Sequence, residues 1–200
     1  MPQPFTTAAL TPVTWPAYAA LIEAHHGVWG GCWCLSFHPE GANGQHPPAE
    51  RRALKQARVH DGTAHAALVF DGPACIGWCQ FGPTATLPRI KNRKEYDKAA
   101  APLPDWRITC FFVASTHRHQ GVARLALKSA MTQIAALGGG AVEAYPDDTA
   151  QQKIPASFLF NGTLASFQAQ GFTPVRMIGK TRWVVLKQLP RRRDFATHAP

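Results

Sequence analysis

Apolar and polar positions in this chain fall into segments whose period changes. Residues 65–81 (HAALVF-DG-PACIGWCQF) place two apolar runs around Asp71-Gly72. That dipeptide favours a type I′ turn, so the stretch predicts a β-hairpin. Residues 106–113 (WRITCFFV) predict a strand. Strict alternation puts Trp106, Ile108, Cys110 and Phe112 on one face and Arg107, Thr109, Phe111 and Val113 on the other. Both faces turn apolar toward the strand's end, as a central strand requires. The period then lengthens. Ala123, Leu127, Ala130, Ile134 and Leu137 form one stripe of a helix predicted over 118–137. Gly138-Gly139-Gly140 ends it, and AVEAY (141–145) predicts another strand. Residues 106–145 thus read as a strand–helix–strand unit with a parallel pair.

The flanks are simpler. Residues 4–10 predict a strand and 15–26 a helix, with Pro16 in its first turn and Gly27 stopping it. GCWCLSFHP is a short strand or a buried loop, 39–48 a loop, and 49–59 a short basic helix. Residues 82–104 lack a clean period and read as a long surface excursion. Thr163 caps a short helix that Gly171 closes, and FTPVRM and TRWVVLK form a last hairpin around Gly179. There are no internal repeats. This order predicts an α/β (α+β) fold, a single-domain mixed sheet flanked by helices over 1–189, with a basic polar tail over 190–200.

Composition narrows the picture only a little. With 46% hydrophobic and 16% charged residues among 200, the chain is globular. The formal charge is +9, concentrated at 51–58, 89–98 and 176–193. An anionic partner is implied: nucleic acid, a membrane surface or a phosphorylated small molecule. No interleaved aromatic–basic motif supports nucleic acid, so none is expected. No apolar run approaches the roughly 20 residues that cross a bilayer, and no membrane partner is expected. The N-terminus lacks a basic segment followed by an apolar core, so a cytoplasmic location is expected. Cysteines number five, an odd count, and act as small buried hydrophobes in a reducing compartment. Cys32-x-Cys34 with Cys75-x3-Cys79 is the zinc alternative; burial is the simpler account, and no metal is expected.

The chemistry-bearing stretch is CFFVASTHRHQGVARLAL, residues 110–127. A helix N-terminus exposes up to four unpaired N–H groups and a partial positive charge, a ready anion site. Gly121 allows close backbone approach, and Arg118 adds a permanent charge suited to phosphate oxygens. A diphosphate suits this arrangement best. Neither G-x4-G-K-S/T nor G-x-G-x-x-G occurs in the chain. What occurs is Arg118-x-x-Gly121-x-Ala123, directly after a strand ending at Val113.

This stretch resembles the acyl-CoA-binding motif of the GNAT N-acetyltransferase superfamily, Q/R-x-x-G-x-G/A after the fourth strand. The resemblance covers about 65–187, with the family's elements in order. It implies splayed central parallel strands, acetyl-CoA as cosubstrate, and direct acetyl transfer to a primary amine of a small molecule or protein. The backbone amides of Gln120, Gly121, Val122 and Ala123, with Arg118 and His119, would hold the CoA diphosphate. Phe111 and Val113 would pair with the pantetheine arm, Asn161 would lie near it, and the Val113 N–H would be the oxyanion donor.

The chain also departs from that pattern. Many members carry an acidic tyrosine where Phe167 stands, and some a basic glutamate where Arg107 stands. Tyr145 and Glu143, on one face of the strand over 141–145, are the substitutes named for catalysis. Trp29, Trp33, Phe37 and Trp78 are expected to wall the acceptor site, where few carboxylates exist to draw a polycation. A non-catalytic acyl-CoA-binding or sensing module is the alternative, and a monomer or homodimer is expected.

Overall fold

The computed structural model describes residues 5–28, 30–41, 46–99, 101–150 and 153–191. The strands are β1 (Thr6–Ala9), β2 (His65–Asp71), β3 (Ala74–Pro83), β4 (Trp106–Val113), β5 (Gly140–Ala144), β6 (Thr173–Met177) and β7 (Trp183–Leu189). The helices are α1 (Trp15–Ala24), α2 (Pro48–His60), α3 (Arg93–Tyr96), α4 (Val122–Ala136) and α5 (Leu164–Gln168). All seven strands join one sheet in the order β1-β2-β3-β4-β5-β7-β6. Only β4 and β5 pair in parallel; every other neighbour is antiparallel. The mixed sheet and the α4 crossover are as the sequence pattern predicts.

Each face of the sheet carries its own core. On one, Ala126, Leu127, Ala130, Met131 and Ile134 of α4 pack on Ala67, Val69, Phe81, Ile108 and Val142. On the other, Trp15, Tyr18, Leu21 and Ile22 of α1 and the loop through Leu35 and Phe37 pack on Ala66, Leu68 and Trp78. The predicted stripe on α4 holds at Leu127, Ala130 and Ile134 and fails at its ends, where Ala123 and Leu137 face solvent. The helix also starts later than predicted, at Val122. His119 (φ 61°) and Gly121 (φ 81°) are left-handed, which no right-handed helix tolerates.

Strict alternation along β4 does not survive. Gln80 pairs with Cys110 and Phe81 with Ile108, so Thr109 is an extra residue, a β-bulge. Trp106, Ile108 and Phe111 therefore share the α4 side, while Cys110 and Phe112 face the α1 side. Thr109 is wholly buried, and its hydroxyl accepts from Gln80 Nε2 at 3.2 Å. Gln80 Oε1 in turn accepts from Lys55 Nζ at 2.7 Å, and Lys55 lies 3.3 Å from His38 Nε2. A buried polar line from α2 thus ends on the bulge.

The basic segment 51–58 is not all surface: Arg51 and Lys55 are buried. Nor is 82–104 a loose excursion: Leu87, Ile90 and Tyr96 are buried and pin it to the sheet. Of the tail, only Pro190 and Arg191 are described; the rest of that expectation lies outside the described residues.

Candidate active site

The two parallel strands part early. Trp106↔Val142, Arg107↔Glu143 and Ile108↔Ala144 are the whole of their register. Beyond them the Phe111 N–H donates to the Phe160 carbonyl at 2.6 Å, so a loop strand leans into the opening. Backbone groups alternate direction along a strand, so the Val113 N–H points into the same opening. Asn161, next to Phe160, is buried, yet neither its Nδ2 nor its Oδ1 has a partner. A buried amide without partners is costly, and a polar arm entering the opening would satisfy it.

Past Val113 the chain makes a 3-10 turn, Ser115–His117, and enters α4. Gly121 is the N-cap, and no side chain caps the helix. Its first N–H groups are therefore open to an anion. A Cβ on Gly121 would meet only Arg124 Nη2, at 3.7 Å, so the left-handed backbone rather than crowding requires glycine. Gly77 on β3 is required by close approach instead. Its Cβ would lie 2.9 Å from Val122 Cγ1, so the start of α4 rests directly on the sheet.

A cavity of about 490 Å³ lies at this helix end, lined in part by Gln120, Gly121, Arg124 and Lys128. Arg118 Nε reaches toward the Val113 carbonyl at 3.4 Å, and every residue from Arg118 to Gly121 is exposed. The motif residues Arg118, His119, Gln120, Gly121, Val122 and Ala123 are thus gathered at one helix start. Arg124 and Lys128 were not singled out from the sequence. Their spacing from Gly121, on one helix face, is the signal that would have found them.

A second cavity, about 480 Å³, opens on the α1 side of the bulge. Cys32, Cys34, Phe37, Ile90, Cys110 and Phe160 are among its walls. Cys34 is left-handed (φ 55°), and its Sγ lies 3.2 Å from Cys110 Sγ. Burial alone would raise the Cys34 thiol. Hydrogen bonding from Cys110, the charge of Lys55, and bonds from Trp78 and Tyr18 outweigh it and bring the thiol below its ordinary value.

Of the expected acceptor wall, Phe37 does line this cavity. Trp33 and Trp78 do not line it and belong to the second core. Trp33 stacks on Trp15 at 5.7 Å, and Trp78 stacks on Phe112 at 4.8 Å. Indoles of that area bury fully when aromatic partners are at hand. Trp29 lies outside the described residues. Tyr145 and Glu143 are brought together but not to either cavity. The Tyr145 hydroxyl donates to Glu143 Oε1 at 2.5 Å, inside a small cluster with Tyr96, Ile178 and Val184. Burial, then the Glu143 carboxylate, holds the Tyr145 hydroxyl well above its ordinary value. Arg107 is buried and donates to the Leu87 carbonyl at 2.9 Å. Phe167 is wholly buried, edge-on to Phe111 and Phe172.

The comparisons agree with this fold. The family model of the acetyltransferase (GNAT) family matches residues 29–155. No curated protein sequence matches the chain. Among solved structures, the histone acetyltransferase HPA2 and related acetyltransferase from Corynebacterium glutamicum superposes with TM-score 0.53 at 16% identity, covering 94% of this chain and 99% of that one. An acetyltransferase from Thermus thermophilus gives the same four values. YncA, a putative acetyltransferase from Salmonella typhimurium solved with its cofactor acetyl-CoA, gives 0.54 at 14% identity, covering 99% and 98%. At these identities the structures share the fold. The family match spans well over half of the chain, and the protein belongs to the GNAT acetyltransferase family.

Proposed function

We propose that this protein transfers an acetyl group from acetyl-CoA directly to a primary amine of a small molecule or protein. One observation carries the reading: the uncapped start of α4, with Gly121 left-handed and Arg118, Arg124 and Lys128 around it, follows the strand whose Val113 N–H faces the opening. Acetyl-CoA supplies an activated thioester. The helix start and its cations would hold the diphosphate, and Asn161 with the Val113 edge would meet the pantetheine arm. The acceptor enters the Cys110 side as a free amine, since an ammonium near pKa 10 cannot attack. The Val113 N–H then faces the oxyanion of the tetrahedral intermediate. Tyr145 and Glu143 act as a positioning pair at the end of β5. The attacking nitrogen releases its proton to solvent and the departing thiolate takes one from solvent, because Phe167 has none to give.

A second reading, an acyl-CoA-binding module without turnover, draws on the same Phe167. Thermal shift and thiol release separate these readings. Acetyl-CoA at about 100 times its Kd should stabilise the chain by roughly 2.7 kcal/mol. Arg118→Ala and Gly121→Glu should each remove most of that shift. No stabilisation at saturation would sink both readings. Stabilisation without CoA release across a broad amine panel would leave the binding module.

A further inference from the structure

A third cavity, about 350 Å³, adjoins the Cys110 cavity and shares Lys91, Phe158 and Phe160 with it. Its walls carry four cations, Lys91, Lys153, Lys180 and Arg182, and one carboxylate, Asp147. That carboxylate is already committed: Asp147 is buried, receives Arg182 Nη2 at 2.7 Å and Thr181 Oγ1 at 3.0 Å. The adjacent Asp148 is turned onto the Ala150 N–H at 2.9 Å. Among the described residues, Lys91, Lys153 and Lys180 have no ion pair. Arg182 keeps a buried Nε without a partner. Lys91 and Arg182 both lie against the Phe160 ring, at 4.4 and 5.9 Å from its centroid, so two cations share one aromatic partner. Burial first, then repulsion from Arg182, lowers the Lys91 ammonium. Arg89, on the wall of the Cys110 cavity, adds a further cation there.

Such crowding is unfavourable unless an anion relieves it, and a concave site of one sign concentrates the opposite charge. The location then sets what the anion is attached to. The cationic cavity opens onto the acceptor side of the bulge, separate from the Gly121 helix start where the diphosphate would sit. We infer that the acceptor is an amine carrying its own anionic group, a carboxylate or phosphate. That group binds among Lys91, Lys153, Lys180 and Arg182, while an apolar part rests on Phe37, Phe158 and Phe160. This rests on the transferase reading above. It predicts discrimination against neutral and polycationic amines.

Matched amines test it. Phenylalanine is compared with phenylalaninamide, and O-phosphoethanolamine with ethanolamine, reading CoA release and, separately, thermal shift in the presence of CoA. In at least one pair the anionic member should be favoured tenfold or more in kcat/KM or in binding. The preferred pair tells carboxylate from phosphate. Lys91→Met, and separately Lys153→Ala with Lys180→Ala on the exposed rim, should reduce that preference severalfold while the shift by acetyl-CoA keeps its wild-type size. If acetyl-CoA stabilises the chain and CoA is released, but neither anionic amine beats its neutral partner, the acceptor inference fails and the transferase reading stands. If the lysine variants weaken acetyl-CoA as much as Arg118→Ala does, the cavity belongs to CoA and the inference also fails. If acetyl-CoA itself gives no shift, it is the transferase reading that falls.

Discussion

The Phe111 N–H and the Phe160 carbonyl meet at 2.6 Å just where β4 and β5 have stopped pairing. A backbone donor that the resemblance assigns to pantetheine is thereby held by the protein itself. The two partners compete for one hydrogen, so acetyl-CoA binding should release the segment around Phe160. Hydrogen–deuterium exchange on peptides tests this. Residues 156–162 should lose protection when acetyl-CoA is added, while 111–125 gains it. Protection rising in both segments would show that the loop stays in place and the arm takes another route.

Arg124 and Lys128 share one face of α4 beside Gly121. Hydrogen bonds to phosphate oxygens from charged donors are the stronger kind. Arg124→Ala should weaken acetyl-CoA by about tenfold and Lys128→Ala by less, with affinity falling as salt rises. Isothermal titration at two ionic strengths is the measurement. Unchanged affinity in both variants would place the diphosphate elsewhere.

The buried line from His38 through Lys55 makes stability depend on pH at both ends. Burial pushes Lys55 down to about 8, despite the nearby Cys34 and Cys110, from an ordinary value of 10.5. Between those values the unfolded chain holds a proton that the folded chain has lost, so Lys55 makes stability rise with pH. The thiols of Cys75, Cys79 and Cys110, raised by burial from 9.0, act with the opposite sign above 9, so the Lys55 slope shows between about 8 and 9. The full contribution is on the order of 3 kcal/mol. His38 is pushed down to about 2 from 6.5, by burial and then by the Lys55 and Arg58 charges. Between about 2 and 6.5 the unfolded chain again binds the extra proton, so stability falls on acidification below 6.5. Melting temperatures from pH 5 to 10 should show both slopes, and Lys55→Met should abolish the alkaline one. An alkaline slope that survives in Lys55→Met would assign it to another group.

Phe167 stands where many relatives carry tyrosine, but its ring is sealed by Phe111 and Phe172. Phe167→Tyr should bury a hydroxyl without a partner and cost about 1–3 kcal/mol, with no gain in CoA release. Tyr145→Phe should cost a similar amount, because Glu143 loses its donor. Its kcat should stay within about threefold, while a fall of about a hundredfold at constant KM, or roughly 2.7 kcal/mol of barrier, would make Tyr145 a catalytic residue after all.

Much of this was legible in the sequence, for reasons of range. The hairpin over 65–81, the α4 crossover and the Thr163 cap depend on residues close together in the chain, and each forms. The hairpin's turn is corrected by one residue: Asp71 pairs with Ala74, so the turn is Gly72-Pro73, and with only Gly72 left-handed it is not the type I′ turn expected, because proline cannot take a positive φ. The expected phosphate-binding loop is equally local, since Arg118, Gly121 and Ala123 fall within one helix start. Thr109 was not legible, because a bulge is decided by the partner strand and by Gln80, 29 residues away. The burial of Lys55 was hidden for the same reason, since it depends on Gln80 and His38. Trp33 and Trp78 read as an acceptor wall because composition does not say which aromatic faces a cavity and which faces Trp15 or Phe112.

The extra residue at Thr109 also sets how this chain can change. Between Trp106 and Cys110, one insertion or deletion would exchange the sides served by Cys110 and Phe111, opening both cores at once. The connections on either side are held at a few buried points instead, Leu87, Ile90, Tyr96 and Asp147. Their exposed residues, such as Lys91 and Lys153, can trade charges without touching the register of β4. The fold therefore works as a chassis: a gear of fixed tooth count on the cofactor side, and an interchangeable rim where a new acceptor can be fitted.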